Sequence, residues 1–234
     1  MKNFFKLTLI LLTFYSFTIS SSKAWIADIW FIEDMDAQEL STATESFKEN
    51  ALAAGAKMKN IRSASKVRGD SPGNSTIVIA YYESYEDLMH DITLNSQQPD
   101  MFDSTYGQIN QDARSDNAIF SNNSPMPQGG GIGQTVTYAM VEITSGINFL
   151  LNMPKFQEKM QAAGAKVVVD SMGCAMCGQS VLPANGMIYF AAANPQDMGD
   201  AMDIFATDEM QRWVFANIAP HVNIIDGGMN IYNN

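Results

Sequence analysis

The sequence predicts an α+β fold built from two tandem copies of one β-α-β-β-α-β unit, and three observations carry that prediction. SFKENALAAGAK (Ser46 to Lys57) and KFQEKMQAAGAK (Lys155 to Lys166) agree at seven of twelve positions, at an offset of 109. Downstream, AYYESYEDL (Ala80 to Leu88) aligns with FAAANPQDM (Phe190 to Met198) after one inserted residue. That brings Asp87 onto Asp197, and Met101 then falls on Met210. The hydrophobic period also changes in the same order in both copies, which marks an internal duplication.

In the first copy Trp25 to Ile32 reads as a strand, Ala37 to Ala54 as a helix ending at Gly55, and Lys57 to Ser63 as a second strand. Ile77 to Tyr82 is a third strand, a helix opens at Tyr85, and QDARSDNAIF, polar until Ala118, holds the fourth strand. In the second copy Thr135 to Ile143 alternates as a strand. Met153, Phe156, Met160 and Ala163 then mark one helix face, with Pro154 suited to a first turn and Gly164 to the C-terminal end. AKVVVDSM is the second strand and Gly186 to Ala193 the third. Asn194 and Pro195 open a helical region reaching about Ala219 and broken near Thr207, and HVNIIDGGMNIY is the last strand. Between the copies, SNNSPMPQGGGIGQ (Ser121 to Gln134) has the uncharged Asn, Pro and Gly composition of a linker. The expected divisions are a leader over 1–24, one repeat over 25–120, a linker over 121–134 and a second repeat over 135–234.

This element order is the split, ferredoxin-like unit, whose four antiparallel strands carry both helices on one face. A tandem copy supplies cover for the other face. The chain therefore resembles the dimeric α+β barrel superfamily, which includes antibiotic-biosynthesis-type monooxygenases, with both halves on one chain as a pseudo-dimer packed sheet to sheet. The resemblance rests on element order and duplication. It implies a small apolar ligand held in or near the barrel, and cofactor-independent monooxygenase-like chemistry on a small aromatic or lipid-like molecule. A non-catalytic structural or interaction role explains the same residues.

Lys2 and Lys6 precede an apolar run from Leu7 to Ile19, and Ser22-Lys23-Ala24 closes it with small residues. This is the pattern of a secretory signal peptide cut before Trp25, so export to a periplasmic or secreted location is expected, with no membrane attachment after cleavage. The formal charge of −11 deepens further once those three lysines leave. So acidic a surface repels nucleic acid and anionic lipid, leaving a small molecule as the expected partner, with the oligomeric state open.

The two cysteines of the chain lie in Met172-Gly173-Cys174-Ala175-Met176-Cys177. Oxidation in an exported protein favours a disulfide between Cys174 and Cys177, at an exposed hairpin end with glycines on either side. Met172, Cys174 and Cys177 are alternatively three soft ligands for Cu(I). Their order resembles the copper-binding loop of heavy-metal-associated domains, although that family places the loop between its first strand and first helix. Two thiolates alone leave a zinc site half filled. Gly178 stands where covalent haem attachment needs a histidine. A redox dithiol lacks a helix to lower its thiol pKa. His221, after Pro220 at the start of the last strand, is the candidate ligand-pocket residue, and His90 reads as a surface group. Met153, Met160, Met198, Met202 and Met210 fall at helical spacings that fill a core. Tyr81, Tyr82, Trp25, Trp30 and Trp213 are expected in the core and sheet interface. No acid–base pair or nucleophile is legible.

Overall fold

The chain was analysed as a computed structural model that describes residues 25–32, 36–69, 76–103, 115–122, 133–177 and 184–233. The expected leader, most of the expected linker and residues 178–183 lie outside the described residues. The first half runs β1 (Trp25–Ile32), α1 (Ala37–Ala53), β2 (Asn60–Gly69), β3 (Thr76–Tyr82), α2 (Tyr85–Gln97), α3 (Pro99–Asp103) and β4 (Ser115–Asn122). The second runs β5 (Thr135–Ile143), α4 (Gly146–Ala162), β6 (Val167–Cys177), β7 (Gly186–Ala192), α5 (Pro195–Phe205), α6 (Asp208–Asn217), a short 3-10 turn (Ala219–His221) and β8 (Val222–Tyr232). The duplicated order predicted from sequence is present in both halves.

Local chemistry sets the helix ends. Asp36 caps α1, its carboxylate accepting from Gln38 N and Glu39 N at 2.9 Å each. Ser84 caps α2 by accepting from Asp87 N, and Asn194 caps α5 by accepting from Asp197 N, so the aligned Asp87 and Asp197 occupy one capping position. Helices α1 and α4 both stop in a Schellman turn. Gly55 and Gly164 each have φ +96°, while Ala56 N bonds Ala51 O at 2.9 Å and Ala165 N bonds Met160 O at 3.0 Å. Pro154 departs from expectation. It lies inside α4, because the helix begins at Gly146, a turn and more before the apolar face becomes periodic. The predicted break near Thr207 is there, with Thr207 capping α6.

The eight strands form one closed antiparallel barrel in the order β1-β3-β2-β8-β5-β7-β6-β4. Its halves therefore meet edge to edge, through β2–β8 and β4–β6, rather than stacking as two separate layers. Edge pairing satisfies the backbone groups that stacked sheets would leave open at their borders. Ala64 pairs with Tyr232 at the first seam, and Phe120 with Cys174 at the second. Both seams carry a bulge, at Val67 and at Ala175. Ala64 faces Ile77 across β3, and Met172 faces Met187 across β7, so these two bulges are equivalent positions of the duplicated unit.

Because side chains alternate along a strand, each strand feeds two cores. Trp25, Ala27 and Ile29 of β1 join Ile77, Ile79, Tyr138, Met187 and Tyr189 inside the barrel. Ile26, Ile32, Val78 and Ala80 point outward beneath α1 and α2 with Leu40, Phe47 and Leu88. In the second half Val141, Ile188 and Phe190 pack under α4 and α5 against Phe149, Phe156, Met160 and Met198. Trp213 stacks on Phe156, with ring centroids 5.8 Å apart. No helix among the described residues is long and apolar enough to cross a membrane.

Candidate functional site

The barrel interior is not filled by its side chains. A cavity of about 350 Å³ remains within it. Apolar walls come from the inward positions of β1, β3, β5 and β7, including Ala27, Ile29, Ile77, Ile79, Val136 and Met187. A volume of this size with apolar walls and a few polar groups is the usual form of a small-molecule site.

The polar groups gather at one end. Arg62 on β2 is only 4% exposed, and its guanidinium carbon lies 3.8 Å from the centroid of the Tyr232 ring. Its Nη1 donates to Gln134 Oε1. Tyr232 and Tyr81 place their hydroxyls 3.3 Å apart, and Trp25 packs on Tyr81 at 5.7 Å. Lys59 and Glu83, both about half exposed, form an ion pair at 3.4 Å that also borders the cavity. The Arg62–Tyr232 and Arg62–Gln134 contacts cross from one half of the chain to the other, so neither half builds this end alone.

Burial governs the protonation of these groups. It raises Tyr81 and Tyr232 above the usual tyrosine range, against the opposing pull of Arg62 on both. Tyr189 is raised by burial and then by Asp170. Tyr138 is pushed up to about 12 by burial, with Asp226 adding to it. Burial also lowers Arg62, and the Tyr232 and Tyr81 hydroxyls partly offset that. At neutral pH the tyrosines are therefore neutral hydrogen-bonding groups beside a guanidinium, which stays charged in proteins.

Two buried polar atoms on the cavity wall lack a hydrogen-bond partner: Trp25 Nε1, a donor, and Asn230 Oδ1, an acceptor. Their residues are 3% and 2% exposed. Leaving such an atom unpaired costs about 1–3 kcal/mol, so both are points where a bound molecule gains.

Across the barrel, Asp170 on β6 accepts from Asn122 Nδ2 at 3.0 Å and from Ser171 N at 2.8 Å. This acid does not line the cavity; it stands next to Tyr189.

The residues singled out from sequence fall in three places. Met172 reaches the cavity wall, and Cys174 packs against the inner core. The cysteine pair is not at a free hairpin end: Cys174 and Cys177 are paired residues of β6, opposite Phe120 and Ala118 of β4. His221 lies in the 3-10 turn, where its carbonyl accepts from Thr144 N at 2.9 Å, and it is not among the cavity-lining residues. The physical reason is direction: the first residue before a strand belongs to its rim, whereas the cavity is closed by the far end of β8, at Asn230 and Tyr232. His90 places Nδ1 3.0 Å from Asp91 Oδ1 on the outside of α2. Trp25 and Tyr81, expected in the core, line the cavity. Arg62, Gln134, Asn230 and Tyr232 were not singled out from sequence. A charged residue at an inward position of the short strand NIRSAS is the signal that marks them.

No known family's sequence pattern matches this chain, and no curated protein matches it. Solved structures do match in fold. One from Fusobacterium nucleatum subsp. nucleatum ATCC 25586, named as a monooxygenase, is 9% identical over 90% of this chain and 94% of its own, with a TM-score of 0.57. One from Lactobacillus acidophilus NCFM, also named as a monooxygenase, is 11% identical over 90% and 95%, with a TM-score of 0.53. A third, named as chlorite dismutase TA0507, is 8% identical over 91% and 96%, with a TM-score of 0.52. At these identities the likeness concerns the fold alone, an α+β barrel, here with both halves on one chain.

Proposed function

We propose that this tandem α+β barrel is an exported protein that binds a small, largely apolar molecule in the cavity between its halves. The observation that supports the reading most directly is the apolar cavity of about 350 Å³ with Trp25 Nε1 and Asn230 Oδ1 buried and unpartnered on its wall. Monooxygenase-like chemistry on that molecule is an extension, supported by the shared fold of two structures named as monooxygenases. Native mass spectrometry of protein taken from its own compartment tests the reading: a retained ligand and a mass starting at Trp25 are expected. Ile79→Trp, which fills the cavity, should abolish retention. A chain that carries no ligand and shows no thermal shift with small aromatic probes overturns it. Oxygen uptake with phenols separates an enzyme from a carrier.

A disulfide between Cys174 and Cys177 belongs to the same proposal. It is supported by the absence of free cysteine among the described residues and by the oxidising compartment that export implies. A second reading applies in the reduced state, since Met172 and Cys174 both pack at the inner core and would offer, with Cys177, three soft ligands for Cu(I). Copper-dependent thermal stabilisation of the reduced protein tests that reading.

A further inference from the structure

We infer that two copies of this chain associate through one end of the second half, where the start of α4, the end of α6 and the start of β8 present large apolar side chains to solvent.

Ile147, Leu150 and Leu151 of α4, Phe215 of α6 and Ile224 of β8 each expose between 61% and 77% of their surface. Their elements are tied together at that end. Asn152 Nδ2 donates to Asn217 O at 2.9 Å, Thr144 N donates to His221 O at 2.9 Å, and Val141 pairs with Ile224 across β5 and β8. Single exposed apolar residues are ordinary, whereas a concentration of them marks a contact surface.

The duplication supplies an internal control. At the offset of 109, Phe149 and Phe156 of α4 correspond to Leu40 and Phe47 of α1, and all four are buried. The same register sets Ile147 and Leu151 against Gln38 and Thr42, which are exposed on α1. The unit therefore folds with polar residues at these two positions. Apolar side chains there in the second copy add nothing to its core, and they gain only when something outside covers them.

A second copy suits this end. Residues 143–154 and 213–225 contain no Asp, Glu, Lys or Arg, in a chain with 25 acids and 14 bases. Two chains of formal net charge −11 repel one another over acidic surface, so an uncharged end is where they can meet. The five side chains expose several hundred Å², comparable with the roughly 800 Å² that each partner of a standard interface buries. An anionic membrane is a poorer match, because these segments hold no lysine or arginine to attract it. The contact is isologous: the same end of each chain meets across a two-fold axis and closes at two copies.

Sedimentation velocity of protein isolated from its own compartment, over a dilution series, tests the inference. A dimer that dissociates on dilution is expected. Ile147→Gln combined with Leu151→Thr, which gives α4 the residues that α1 carries, should raise the dissociation constant about tenfold or more. Phe215→Ser, on a different element, should act in the same direction and decides if the double variant fails to fold. Met89→Gln, at an exposed position of α2, should leave the dimer unchanged. A monomer at every concentration overturns the inference whatever the variants do. So does a dimer that the substitutions on α4 and α6 leave intact, or one that Met89→Gln weakens as much. A monomer that floats with phosphatidylcholine vesicles overturns it too and makes a lipid surface the occupant.

Discussion

Arg62 and Asp170 occupy the same position of the duplicated unit and carry opposite charges. Arg62 pairs with Ile79 across β3, and Asp170 pairs with Tyr189 across β7, while Ile79 and Tyr189 are themselves aligned at an offset of 110. Each contacts the final strand of the other half, Arg62 through the Tyr232 ring and Asp170 through Asn122. Two arginines at these positions would face one another across a single interior. Carrying both copies on one chain removes that restriction, since each can change alone.

The buried carboxylate of Asp91 ties α2 to the start of β2. It accepts from Lys57 N at 2.7 Å and Met58 N at 3.0 Å, and it is 3% exposed. Asp91→Ala should cost about 2–3 kcal/mol by stranding two backbone donors. For a chain of this size that lowers Tm by about 4–12 °C. Asp91→Asn retains one acceptor and should cost less. Thermal melts of both variants check the order.

Gly55 and Gly164 each sit at φ +96°, with open space where a Cβ would go. The penalty for substitution is therefore backbone strain rather than a clash. Gly55→Val and Gly164→Val should each destabilise by about 1 kcal/mol or more. Asparagine at either site should cost less than valine. Urea titrations of the four variants provide the comparison, and equal stability of Val and Asn variants would refute the strain argument.

Alkaline pH should weaken the fold before neutral or mildly acidic pH does. Tyr81, Tyr138, Tyr189 and Tyr232 are all held above the ordinary tyrosine value by burial. A raised folded-state pKa contributes stability that is complete below the unfolded value near 10 and is lost as pH rises through the folded values, about 12 for Tyr138. Tm should be flat up to about pH 9.5 on this account and fall beyond pH 10, with phenolate absorbance rising as the chain opens.

Protein isolated without reductant should show close to no titratable thiol. A four-residue ring restrains little of the unfolded chain, so Cys174→Ala with Cys177→Ala should cost about 2 kcal/mol or less. Two free thiols that vanish on adding Cu(I) would replace the disulfide with copper handling.

The sequence made the repeat legible because duplication leaves identities such as Ala-Ala-Gly-Ala-Lys, and because φ at a helix end restricts residue choice enough to mark Gly55 and Gly164. Helix α4 was read short since Ile147, Leu150 and Leu151 are exposed apolar residues that blur the period. The site was harder to read. Arg62 on β2, Gln134 just before β5, and Asn230 and Tyr232 on β8 are widely separated in sequence, and closure of the barrel alone brings them together. The cysteine motif drew notice through its residue types. Its position inside β6 depends on pairing with β4, which local composition does not encode.

Strand β8 lies between β2 and β5, and Tyr232 pairs with Ala64 across most of the chain length. During synthesis the first half therefore emerges with β2 and β4 each paired on one edge only, to β3 and β1, and their other edges wait for partners made much later. Contacts this distant in sequence form slowly, and open strand edges recruit neighbouring chains. The cavity has no existence in a nascent chain until β8 docks. A ribosome that stops before Val222 releases a sticky half-open sheet, and the last eleven residues of the barrel act as the latch that ends that hazard.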